Sequence, residues 1–138
     1  MTQLADNFIA ALHRLEKSSD VDTIARLFCD DAVLSNPLSI HDSAESGAAQ
    51  TFWTAYRAAF STIESEFINV VETDGVAILE WRSDAVVEGQ SVAYSGVSVL
   101  ESDGEKIKSF RAYFDPRELV AKVDTRAVDA TPSDVEPA

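Results

Sequence analysis

Cysteine is nearly absent. Cys29 is the only one in 138 residues, which excludes an intrachain disulfide and any metal site built from several thiolates. It closes the apolar run that begins at Ile24 and is expected as a buried, inert thiol. Histidine is as scarce. His13 and His41 stand far apart without ligand spacing, so both are expected at the surface and no metal is expected. Basic residues are few, 11 Lys and Arg against 24 Asp and Glu, for a net charge of -13. That balance denies the chain the basic face that nucleic acid or an anionic membrane surface requires. No apolar run reaches membrane-spanning length, and the first residues lack the charged and apolar segments of a signal peptide. A cytoplasmic setting is therefore expected. With no Gly-rich phosphate loop and no nucleophile elbow, no cofactor is expected either.

What is present is ordinary globular material, 46% hydrophobic and 25% charged, in a length that suits one domain. Thr2 to Lys17 reads as a helix, with Phe8, Leu12 and Leu15 on one stripe. Asp20 or Asp22 can cap a second helix, which carries Ile24, Leu27 and Phe28 and ends near Cys29-Asp30-Asp31. Ala32 to Ser35 reads as a short strand stopped by Asn36-Pro37, and Leu38 to Ser46 as a polar loop. A third helix runs from Gly47 to about Phe60, its Phe52, Trp53, Tyr56 and Phe60 spaced by three and four.

From Ser61 the period changes to alternation. Ile63 to Glu72, Val76 to Val87, Ser91 to Glu101 and Lys106 to Asp115 read as four antiparallel strands, with an Asp74-Gly75 hairpin turn between the first two. Gly96, inside the third of these, marks a bulge, a bend or a close approach. A short helix is expected from Arg117 to Val123, and an acidic tail of small residues from 124 to 138. The sum is an α+β domain over residues 1–123: three helices packed on a strongly curved, mainly antiparallel sheet that encloses one pocket.

The Val76–Val87 stretch offers two faces. Ala77, Leu79, Trp81, Ser83, Ala85 and Val87 form an apolar one. Ile78, Glu80, Arg82, Asp84 and Val86 form the other, which sets a guanidinium between two carboxylates, each about 7 Å along the strand from it. Taken alone, that row reads as a solvent face with a routine ion pair. Turned into a cone, it would be an acid–base site.

The order αα–β–α–ββββ resembles the nuclear transport factor 2-like superfamily, and within it the SnoaL-like proteins. The residues that carry the likeness are Leu27 to Leu34 ahead of Asn36-Pro37, Lys106-Ile107, and Arg111 to Asp115. Among enzymes the chain is most similar to limonene-1,2-epoxide hydrolase, which uses an Asp–Arg–Asp arrangement with a Tyr and an Asn holding the attacking water. The resemblance places Arg82-Ser83-Asp84 on that family's Arg-x-Asp motif and Asn36 on its water-holding Asn. Two positions depart from it: Ala112 stands where the second catalytic Asp belongs, and Leu34 where the Tyr belongs.

Two functions follow. In an enzyme, a hydrolase or isomerase acting on a small apolar substrate, Glu80 replaces the lost acid, Arg82 separates it from Asp84, and Asn36 orients water. In a non-catalytic binding module, the pocket walled by Phe52, Tyr56, Tyr94, Phe110, Ala112 and Phe114 holds a small apolar molecule. Either is compatible with a homodimer formed through the sheet face that bears Leu79 and Trp81, which is also a third, purely structural reading.

Overall fold

A computed structural model describes residues 3–41 and 47–119 of the chain. Helices α1 (Gln3–Ser18) and α2 (Val21–Ala25) lead into strand β1 (Phe28–Asn36) and its short partner β2 (Ser39–His41). Helix α3 (Ala48–Ala58) follows, and then strands β3 (Thr62–Thr73), β4 (Val76–Val87), β5 (Gln90–Ser102) and β6 (Ile107–Phe114). The expected tail, the 123/124 boundary and the side chain of His41 lie outside the described residues.

The long strands follow from their alternation and their turns. Asp74-Gly75 and Glu88-Gly89 each place two successive residues at positive φ, 48° and 79° in the first and 50° and 81° in the second. That backbone matches the twist of the strands it joins. β3, β4, β5 and β6 then pair in sequence, all antiparallel.

The N-terminal half departs from expectation. α2 ends at Ala25, and Phe28 to Asp31 belong to β1 rather than to a helix. The cause is non-local: β1 lies parallel to β6, with Phe28 beside Ile107 and Leu34 beside Phe110. The sheet is accordingly six-stranded and mixed, in the order β2-β1-β6-β5-β4-β3. Cys29 is partly exposed on β1, its thiol 3.4 Å from an Asp103 oxygen, and not buried at a helix end.

Helix α1 is fastened to β3 at both ends. The Glu72 carboxylate accepts from the Leu4 and Ala5 amides at 3.3 and 3.0 Å, satisfying first-turn donors from a distant strand. Near the other end, Glu16 reaches back to Ser65. The helices cover the sheet face that carries Leu79, Trp81, Ser83 and Ala85. Phe8, Leu15, Ile24, Leu34, Trp53, Leu79 and Leu100 are fully buried there.

Gly96 is a close approach. A Cβ built on it would sit 2.3 Å from the Tyr113 carbonyl oxygen and 2.8 Å from the Trp81 ring. Only a residue without a side chain lets β5 pass under that indole.

Candidate functional site

Between the helices and the inner sheet face lies a cavity of about 520 Å³. Its wall is aromatic because α3 presents Phe52, Trp53 and Tyr56 on one side while β6 presents Phe110 and Phe114 on the inward phase of its alternation. Trp81 and Tyr94 join the wall, their ring centroids 5.2 Å apart. Leu38 and Glu88, both exposed, mark where the cavity meets solvent.

All six residues expected to contact substrate line this cavity: Phe52, Tyr56, Tyr94, Phe110, Ala112 and Phe114. Asn36 lines it as well, while its side-chain oxygen accepts from the Leu38 amide at 2.8 Å and holds the turn after β1.

The row Glu80–Arg82–Asp84 is elsewhere. All three are exposed on the outer face of β4, and the inward positions are Leu79, Trp81 and Ser83. Arg82 leans across to Glu66 on β3 at 3.6 Å, with side chains 58% and 71% exposed, and Glu80 accepts from Asn69 at 2.6 Å. Alternation explains the outcome, since a one-residue slip in matching a strand motif moves it to the opposite face. For the same reason Leu79 and Trp81 offer no outward surface. The exposed apolar side chains of the outer face are instead Val33, Val71, Ile78 and Tyr113.

The buried carboxylate behind the cavity wall is Glu16, which is 5% exposed. It accepts from the Tyr56 hydroxyl at 2.8 Å, the Ser65 amide at 2.9 Å and the Ser65 hydroxyl at 2.6 Å. Ser65 continues to Ser83, oxygen to oxygen at 2.6 Å. Tyr56, Ser65 and Ser83 all line the cavity, so Glu16 stands one or two hydrogen bonds behind its surface. A buried charge this well bonded avoids most of its desolvation penalty. The sequence carries a signal for it: Glu16 follows Phe8 and Leu12 at helical spacing, a lone acid on an apolar stripe.

Burial, and then the Glu16 charge, push the Tyr56 phenol well above its ordinary 10.0. The same two causes raise Tyr94. Both stay protonated, as neutral polar groups in an apolar wall. Elsewhere in the wall the Trp81 indole donates to Ser98 at 2.9 Å, while the buried Trp53 indole N–H has no partner among the described residues. Among those residues no three His, Cys, Asp or Glu side chains group to hold a metal ion, and no helix is long and apolar enough to cross a membrane.

Comparison with known proteins agrees with this architecture. A family model described as a SnoaL-like domain matches residues 6–110. Among solved structures, an LEH-like epoxide hydrolase from M. tuberculosis superposes with a TM-score of 0.70 at 19% identity, covering 96% of this chain and 98% of its own. An NTF2-like protein from Anabaena variabilis gives 0.73 at 18% identity, with 82% and 87% covered. A protein of ketosteroid isomerase-like fold from Catenulispora acidiphila, in complex with trimethylamine, gives 0.71 at 13% identity, with 83% and 90% covered. No curated protein matches in sequence. At these identities the structures share the NTF2-like fold with this chain.

Proposed function

We propose, starting from the fact that this chain belongs to the SnoaL-like domain family, that its internal cavity binds a small, largely apolar molecule about the size of a two-ring hydrocarbon. The observation that carries the reading is the cavity itself, about 520 Å³ with aromatic rings from α3, β4, β5 and β6 around it. A core packed for stability alone would fill such a space, because an unfilled apolar void forfeits contacts on every side.

An epoxide hydrolase-like reaction has less support. The likeness to that enzyme needs opposed carboxylates at the water, whereas Ala112 and Leu34 are inert and Glu80 and Asp84 face solvent. Acid–base turnover stays a second reading on one observation, the buried Glu16 behind Tyr56, Ser65 and Ser83.

The test uses 2-fluoronaphthalene, followed by fluorine NMR and by tryptophan fluorescence, since both tryptophans line the cavity. Saturable one-site binding is expected, and Ala112→Trp, which puts an indole into the space, should abolish it. A folded wild-type protein that shows no saturable binding of 2-fluoronaphthalene or of either of its 2-hydroxy and 2-methoxy analogues would overturn the reading.

A further inference from the structure

The hydrogen bonds at the polar corner of the cavity have a direction. As a carboxylate, Glu16 can only accept. The single hydroxyl hydrogen of Ser65 therefore goes to Glu16, 2.6 Å away. Ser65 Oγ is then left as an acceptor, so the contact at 2.6 Å to Ser83 requires Ser83 to be the donor. The Tyr56 hydrogen is likewise committed to Glu16. Ser83, Ser65 and Tyr56 thus all point their hydrogens away from the cavity that they line, and what they turn toward it is lone pairs.

We propose that this corner selects ligands that carry a hydrogen-bond donor: the occupant is an apolar molecule bearing a hydroxyl or N–H group, which it donates to Ser83 Oγ. The proposal rests on the binding function above and names its ligand class. Ser83 is the contact, only 1% exposed and set in the inner wall of β4 opposite Tyr94. Glu16 is a positioning residue, acting through Ser65 to fix which way the Ser83 hydroxyl turns. The alternation Trp81, Ser83, Ala85 makes this the one polar side chain among the inward positions from Trp81 to Ala85. Chains of hydrogen bonds that end on a charge polarise one another, which strengthens the outer acceptor.

Three probes of one skeleton separate the possibilities near neutral pH. 2-Naphthol offers a donor, 2-methoxynaphthalene keeps the oxygen as acceptor only, and 2-fluoronaphthalene has neither function at similar size. A purely apolar pocket favours the fluoro compound, because a hydroxyl without a partner loses its water for nothing. An acceptor corner is expected to reverse that order, 2-naphthol binding about tenfold tighter than 2-fluoronaphthalene, with the methyl ether no better than the fluoro compound. Ser83→Ala should reduce the preference to within about twofold, with circular dichroism and the urea unfolding midpoint showing that the variant folds. Glu16→Gln, whose amide can donate and so releases the orientation, should lower the preference in the same direction.

Equal binding of 2-naphthol and 2-fluoronaphthalene by the wild type would overturn the proposal and leave the cavity reading standing. So would a methyl ether that matches 2-naphthol, the sign of a donating corner, or a preference that survives Ser83→Ala. Failure of all three probes to bind would overturn the cavity reading instead.

Discussion

Ser65 on β3 and Ser83 on β4 face each other across the ladder, both buried, with hydroxyl oxygens 2.6 Å apart. Two buried hydroxyls at that distance form a single hydrogen bond between them, so one hydrogen needs a further acceptor, and Glu16 provides it. Removing the carboxylate strands several donors together: the Ser65 amide, the Ser65 hydroxyl and the Tyr56 phenol. Glu16→Ala should therefore lower the unfolding free energy by about 3 kcal/mol. Urea denaturation measures it, and a change under about 0.5 kcal/mol, the scale of an unremarkable surface site, would disprove the network's role.

Alkali should expose the same corner. Unfolded, Tyr56 and Tyr94 ionise near 10.0; folded, both hold their protons to higher pH, because of burial first and the Glu16 charge second. Above pH 10.0 the native state binds more protons than the unfolded one, so stability falls as pH rises. The contribution is complete below that value and is lost as the pH climbs toward the folded values. Phenolate absorbance from these two residues should thus appear together with the loss of far-ultraviolet circular dichroism. Their ionisation in a protein that is still fully folded near pH 10.0 would contradict the burial described.

Gly96→Ala tests the close passage of β5. The new methyl would meet the Tyr113 carbonyl at 2.3 Å, a backbone atom that moves only if β6 moves, and the Trp81 ring at 2.8 Å. Destabilisation of about 1–3 kcal/mol is expected, with cavity binding weakened because Trp81 is part of the wall. Thermal melting with and without 2-fluoronaphthalene reads both effects, and a neutral substitution would contradict the packing.

The outer charges should be quiet. Glu80→Gln, Arg82→Ala and Asp84→Asn alter exposed side chains whose only ion pair among the described residues is the open contact to Glu66. Each should change stability by less than about 0.5 kcal/mol and leave 2-fluoronaphthalene affinity unchanged. A large loss of binding in any of them would return that face to the site.

The strands were readable where local chemistry decides them. Val76 to Val87 has the bounds its composition implies, because Asp74-Gly75 and Glu88-Gly89 punctuate it. Taken alone, Glu80, Arg82 and Asp84 read as a solvent face with a routine ion pair, and that is what they are; the likeness to the hydrolase motif is what turned them inward. Alternation separates Trp81 from Arg82 but does not say where the helices will lie. Apolarity was the better guide there, and the motif likeness the worse one. β1 was misread for a different reason: Ile24, Leu27 and Phe28 keep a helical spacing, and only the pairing of Phe28 with Ile107 makes that segment a strand. The aromatic wall was legible at Phe52, Tyr56, Phe110 and Phe114, since large rings on matched phases of α3 and β6 have few other places to go. Glu16 was legible in principle and missed, because a helix stripe is read by its apolar members.

The parallel pairing of β1 with β6 also sets an order in time. β1 ends at Asn36, while the strand that must lie beside it begins at Ile107, so its inner edge waits through the synthesis of α3, β3, β4 and β5. Contacts of such sequence separation form late and slowly. Phe110, Ala112 and Phe114 arrive on that last strand, and without them the space has no third wall. No fragment of the cone therefore carries a partial site that could be filled early. A molecule held in the cavity is bound only by chains in which the first strand and the last have already met, and its capture draws the population toward those chains.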